Sequence, residues 1–256
     1  MASDIKKEIT MHDLLYESHI GLERQGPGSA EMTLKALSFI DNPDKIFKAL
    51  DLGCGTGGQT MALAQNIGGE IVGVDLSPEF IAVFNNNAKK LGLKNKAKGV
   101  VGSFDSLPFG KAEFDLIWSE GAIEKDLEKL LFYWNGFLRN DGYIAFTIPT
   151  WFTDSRPDEI SRFWSDAGCE VGTIAENILT LQRAGFCLRA AFTLPEKCWT
   201  ENYYAPHVAA AERLHSEKYP SSKVMAEYIA SAHYEVEIYS KYKQYYGYVF
   251  FIGKKI

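Results

Sequence analysis

The chain has 256 residues, 46% of them hydrophobic and 23% charged, with a formal net charge of −6. That is the composition of a globular protein, long enough for one large α/β domain with an added cap. The acidic balance argues against a nucleic-acid partner, which needs a concentrated basic surface. No run approaches the roughly eighteen apolar residues of a membrane-crossing helix. The four cysteines, Cys54, Cys169, Cys187 and Cys198, form no C-x-x-C pair and predict neither a zinc site nor a disulfide scaffold. Residues 1–12 are polar and lack a signal core, so a cytoplasmic protein without a metal is expected.

Residues 1–45 read as a helical arm broken at Gln25-Gly26-Pro27-Gly28-Ser29. Ser29 suits the N-cap of a helix over 30–39, with Glu31 in its first turn. The stretch before Ser29 is either an ordinary turn or a closure over a ligand.

From residue 46 strands and helices alternate. A buried strand, Ala49-Leu50-Asp51-Leu52, runs into the turn Gly53-Cys54-Gly55-Thr56-Gly57-Gly58 and then a helix. Such glycines let a ligand approach the backbone, with the helix amides free to donate to it. The next strand, Ile71-Val72-Gly73-Val74, ends in Asp75, a carboxylate suited to the two hydroxyls of a ribose. Gly53, Gly55 and Gly58 also satisfy G-x-G-x-x-G, with Asp75 about twenty residues on, as in dinucleotide sites. Asp51 is awkward beside a pyrophosphate, because like charges repel in a half-buried turn. It suits a cationic ligand carrying an ammonium and a sulfonium.

Ser77-Pro78-Glu79 opens a helix that closes near Leu91-Gly92. Strands are expected at 98–101, 114–118 and 142–148, with a helix over 123–138. This alternation predicts a mostly parallel sheet with right-handed crossovers. Helices follow at 158–168 and 173–184, then strands at 186–194 and 246–254. Between those strands, residues 195–244 read as a Trp/Tyr-rich loop, a helix over 207–218 and a longer one over 221–243. The expected division is an arm (1–45), a core (46–194), an insert (195–244) and a final core strand (245–256). Arm and insert should roof a substrate chamber at the carboxyl edge of the sheet, where open α/β sheets bind ligands.

Leu50-Asp51-Leu52-Gly53-Cys54-Gly55-Thr56-Gly57 resembles motif I of the class I S-adenosylmethionine-dependent methyltransferases. Three further stretches keep that family's order. Gly102-Ser103-Phe104-Asp105-Ser106-Leu107-Pro108-Phe109 resembles the loop framing the adenine. Glu113-Phe114-Asp115-Leu116-Ile117-Trp118 is similar to the strand-four motif, and Leu138-Arg139-Asn140-Asp141-Gly142-Tyr143 to the turn into strand five. The resemblance is nearest to the broad ubiquinone/menaquinone-biosynthesis-type, small-molecule branch. It implies a Rossmann-like, mostly parallel seven-stranded sheet with the last strand antiparallel, plus a helical cap. It further implies S-adenosyl-L-methionine as cofactor and in-line methyl transfer to a small-molecule acceptor.

On that resemblance Asp51, Gly53, Gly55 and Gly57 meet the methionine part of the cofactor, and Asp75 with Leu76 its ribose. Ser103, standing where an acid is frequent, and Phe104 meet the adenine, while Gln25 and Gly28 close over the site. Ser119 and Glu120 fall near the reacting methyl group, and Glu120 is a candidate proton acceptor. Gln59 and Thr60 read equally as capping or ligand-contact residues, and Phe80 reads as core ahead of a stack under the adenine. His19 is a second catalytic candidate, beside Tyr16; His207 with Tyr203 and Tyr204 forms a similar group in the insert. Each of the five histidines also reads as a packing residue. Tyr234, Tyr239, Tyr242, Tyr245, Tyr246 and Tyr248 read mostly as packing, with one or two open as pocket walls.

Two alternatives stay open: an NAD(P)-dependent oxidoreductase, and a non-catalytic binder of S-adenosylmethionine or S-adenosylhomocysteine. Ser119-Glu120-Gly121-Ala122 stands where a nucleic-acid methyltransferase would carry an N-P-P-Y-type tetrapeptide. The aromatic insert leaves a homodimer open.

Overall fold

The computed structural model of the protein describes residues 9–256. Part of the polar terminus, residues 1–8, lies outside the described residues.

The sheet is built outward from β1 (Lys48–Leu52), which pairs in parallel with β2 (Glu70–Asp75) on one side and β4 (Phe114–Ser119) on the other. Leu50 sits opposite Val72 and Ile117, and residues 49–52 are buried throughout, as expected of a strand covered on both faces. With β3 (Ala97–Val101), β5 (Leu138–Trp151), β7 (Phe186–Thr193) and β8 (Tyr246–Lys255), the order is β3-β2-β1-β4-β5-β8-β7. β8 is antiparallel to both β5 and β7. The strand order reverses between β1 and β4, which opens a crevice at their carboxyl ends.

An additional two-residue strand, β6 (Gly172–Thr173), pairs with Thr150 and Trp151 of β5, so the described sheet has eight strands instead of the expected seven. Two residues carry no alternation by which to recognise a strand. β5 also begins earlier than expected. Leu138 pairs with Phe114 and Tyr143 with Leu116, so residues 139–142 bulge between two registered pairs. They read as a turn because Asp141 is left-handed, at φ 62°.

Helix α3 (Gly58–Asn66) follows the glycine turn, with Gly57 as N-cap at φ 91°. A Cβ there would meet the Phe84 ring at 2.7 Å, so glycine is required on two counts. Helix α4 (Pro78–Lys90) is capped by Ser77, whose Oγ accepts from the Phe80 amide. Helix α5 (Leu127–Asn135) starts four residues later than expected, because Asp126 is left-handed at φ 58°, and residues 120–124 are left to line the crevice. Helices α6 (Asp158–Asp166) and α7 (Ile174–Arg183) complete the flanks.

The arm holds α1 (Met11–His19) and α2 (Ala30–Leu37), the latter capped by Ser29 as expected. In the insert, the expected loop before residue 207 is helical: α8 (Lys197–Trp199) runs through a π turn (Thr200–Tyr204) into α9 (Ala205–Glu217). Trp199 and Tyr204 are buried there, which orders the segment. Helix α10 (Lys223–Tyr242) packs with α1 and α9 around Leu14, Ala211, Met225 and Tyr228. Of the insert's aromatic residues that left a second copy open, Trp199, Tyr204, Tyr239 and Tyr242 are buried within the single chain, while Tyr234 is exposed.

Among the described residues no helix is long and apolar enough to cross a membrane, and no cluster of His, Cys, Asp and Glu could hold a metal ion. All four cysteines are free.

Candidate functional site

A chamber of about 410 Å³ lies at the carboxyl edge of β1, β2 and β4. The glycine turn forms its floor. The amides of Gly53 and Cys54 both donate to Val74 O, which ties the turn to β2. Gly55 N donates to Asp75 Oδ2 and Ser77 N to Asp75 Oδ1, each at 2.9 Å. Burial nevertheless raises the Asp75 pKa above the usual carboxylate range. A Cβ on Gly53 would come within 2.2 Å of the Ala122 Cβ, and one on Gly55 within 2.0 Å of Gln25 Oε1. The turn therefore has no room for side chains on either face.

Of the residues expected to meet the cofactor, Gly53, Gly55, Asp75, Leu76, Phe104 and Gln25 line this chamber, joined by Tyr16, Gln59, Phe80 and Ile123. Others do not reach it. Asp51 is completely buried behind the turn, where Oδ2 accepts from Thr60 Oγ1 and Oδ1 has no partner. Its pKa is pushed up to about 7 by that burial. Gly57 caps α3 against Phe84. Ser103 turns away and donates to Asp105 Oδ1 at 2.5 Å, leaving Gly102 and Phe104 at the wall. Ser119 donates to Leu52 O and stitches β4 to β1. Gly28 packs on the Arg24–Glu120 pair: a Cβ would lie 3.1 Å from Arg24 Nη1.

That pair roots the arm beside the chamber. Arg24 Nη1 donates to Glu120 Oε2 at 2.9 Å, with side chains only 5% and 3% exposed. Glu120 Oε1 also accepts from Thr33 Oγ1 at 2.7 Å and Trp118 Nε1 at 2.8 Å. The carboxylate borders the chamber with three donors already in place.

The far end of the chamber is aromatic and acidic, walled by His19, Trp164, Trp199, Tyr203 and Tyr248 with Glu124, Cys169 and Glu235. His19 Nδ1 lies 2.7 Å from Leu15 O, which can only accept, so Nδ1 carries the proton. Its Nε2 faces Tyr203 OH at 3.3 Å as the acceptor. Burial lowers the His19 pKa and pushes that of His207, its ring tilted at 36° with centroids 4.2 Å apart, down to about 3. His207 bonds Tyr228 OH behind the wall. Glu235 is raised to about 7 by burial, with Tyr204 alongside pulling the other way.

Arg24, Glu124 and Glu235 were not singled out in the sequence. For Glu235 a signal existed. Met225, Tyr228, Ala232, Glu235, Tyr239 and Tyr242 recur at helical spacing, which puts one carboxylate in the inward stripe of α10. Arg24 and Glu124 stand in irregular segments, where no period marks them.

Residues 49–142 match the profile of a family described as methyltransferase domain. Over 131 residues the chain is 31% identical to the chloroplastic tocopherol O-methyltransferase of Arabidopsis thaliana, 48% of this chain and 38% of that one. The chain thus spans under half the length of that relative. The fold superposes on a candidate sarcosine dimethylglycine methyltransferase from Galdieria sulphuraria with a TM-score of 0.72 at 20% identity, covering 88% of this chain and 84% of that one. The (4+2)-cyclase SpnF superposes almost as well, with a TM-score of 0.71 at 19% identity over 96% of this chain and 93% of its own. Since that neighbour is named for another reaction, the chemistry has to come from the site.

Proposed function

We propose that the protein is an S-adenosylmethionine-dependent methyltransferase that passes a methyl group to a small-molecule acceptor. One observation carries this reading. The glycine floor with Asp75 and the aromatic wall of Trp199, Tyr203 and Tyr248 line one chamber, which supports a nucleoside site next to an acceptor site. Each Asp75 oxygen accepts one backbone amide and keeps a further lone pair for a ribose hydroxyl. Phe104 and Leu76 flank the same end and suit an adenine. S-adenosylmethionine supplies an electrophilic methyl group on a positively charged sulfur.

The chain's own contribution is proximity and enclosure. Holding two reactants in line removes most of the entropic barrier, and excluding water favours a step in which charge is lost. Residues 46–194 and 245–256 form the cofactor-binding core in this reading, and residues 1–45 and 195–244 the lid. Glu120, with three donors, positions the arm through Arg24 instead of taking a proton. His19, neutral with Nε2 toward Tyr203, is the proposed proton acceptor where the acceptor needs one. Asp51 sets the start of α3 through Thr60. The free thiols fit a cytoplasmic enzyme, and the net charge of −6 fits a small molecule better than a nucleic acid.

The test is calorimetric titration with S-adenosylhomocysteine of the wild type and Asp75→Ala. Loss of at least tenfold in affinity is expected; unchanged affinity would remove Asp75 from the site and the reading with it.

A further inference from the structure

We infer that the acceptor compartment recognises a cationic nitrogen, an ammonium or protonated amine, with Glu235 as its counter-charge and the rings of Trp199, Tyr203 and Tyr248 as its walls. This rests on the reading of the chamber as a methyl-acceptor site and names the class of acceptor.

Glu235 occupies the inward stripe of α10 and lines the chamber. A carboxylate largely withdrawn from water in such a place is costly unless a positive group meets it. Among the described residues no lysine, arginine or histidine pairs with it. The one guanidinium at the chamber wall, Arg24, is committed to Glu120. His19 is held neutral by burial.

A second carboxylate strengthens the field. Glu124 lines the same end; burial is what raises the pKa values of Cys169 and Tyr248 most, and the charges of Glu124 and Glu235 add to both shifts, which places both acids around one space. An anionic acceptor would face Glu235, Glu124 and Asp75 with no free counter-ion, and a neutral one would leave Glu235 uncompensated. The ring centroids of Trp199 and Tyr248 are 4.8 Å apart at 63°, a corner of π-surface on which a desolvated ammonium is attracted. A Glu235 carboxyl that titrates near 7 when alone is what a missing cation leaves behind. Entry of the cation should expel the remaining proton. The groups that feel Glu235 are Cys169, Tyr203, Tyr204, Tyr228, Tyr246 and Tyr248, with Glu124 beside them, and none supplies positive charge.

The experiment titrates S-adenosylhomocysteine-loaded protein at pH 7 with three near-isosteres: 2-phenylethylamine, 2-phenylethanol and 3-phenylpropanoate. The amine is expected to bind at least tenfold more tightly than the alcohol, and the carboxylate most weakly. Binding heats in buffers of different ionisation enthalpy should show proton release in the wild type. Glu235→Gln should erase both the preference and the proton release with S-adenosylhomocysteine affinity unchanged. Equal affinities, a preference for the carboxylate, or an amine preference that survives Glu235→Gln would overturn the inference. If the variant does not fold, the wild-type ranking of the three probes still decides. Failure of S-adenosylhomocysteine to bind would instead sink the cofactor reading, and the ranking would be read on the protein alone.

Discussion

Gln25 and Thr56 hold each other at both ends: Gln25 Oε1 accepts from Thr56 N at 2.9 Å, and Gln25 Nε2 donates to Thr56 Oγ1 at 3.0 Å. The arm is thereby hooked onto the glycine turn, and closing the chamber and shaping its floor become one event. Two neutral hydrogen bonds are worth about 1–3 kcal/mol together. Gln25→Ala should therefore weaken S-adenosylhomocysteine binding about tenfold and speed hydrogen exchange at Thr56, with little change in the melting temperature of the core. Calorimetry and amide exchange check this; an unchanged affinity would show that the hook does not control the site.

The buried Arg24–Glu120 pair predicts a different signature. Removing one partner strands a charge, at a cost of about 3–5 kcal/mol, whereas removing both costs less than the sum. Arg24→Met should lower stability by that order in urea denaturation, and adding Glu120→Gln should recover part of the loss. Additive losses would mean that the two side chains do not act as a pair.

Gly55 combines φ 53° with the 2.0 Å approach to Gln25 Oε1. Gly55→Ala should cost about 1–2 kcal/mol in backbone strain and displace Gln25, so it should lose more ligand affinity than Gln25→Ala alone. Denaturation and titration of both variants side by side would tell.

The pH dependence follows from Glu235. Its folded pKa, about 7, lies above that of the unfolded chain, so the folded state binds the extra proton between about pH 4.5 and 7. That contribution is fully present below the unfolded value and is lost as pH rises through 7. Asp51 and Asp75 act in the same direction, while lowered His19 and His207 act oppositely below about pH 6.5. The difference between wild type and Glu235→Gln isolates the one group. The variant of the ligand-free protein should be more stable at pH 8, by up to about 3 kcal/mol, and equal to wild type at pH 4. Equal stability at both would mean that Glu235 is solvated.

Much of the fold was legible because its signals are local. Ser29, Ser77 and Gly57 mark helix starts by their own chemistry, and residues 49–52 and 71–74 are apolar apart from Asp51. The two-residue β6 and the bulge at 139–142 were not, since both are fixed by pairing with distant strands. At the site the same division holds. The floor from Gly53 to Gly55 and Asp75 is written in one contiguous motif. Ser103 and Ser119 point elsewhere because a hydroxyl takes the nearest acceptor, Asp105 or Leu52 O. His19 and Tyr203 meet only when arm and insert close on each other.

The cofactor is the point on which everything else depends. Wild-type protein titrated by calorimetry with S-adenosylmethionine, S-adenosylhomocysteine and NAD should bind the two sulfur nucleotides and not NAD. Binding of NAD alone would contradict the methyltransferase assignment and make the glycine turn a dinucleotide site.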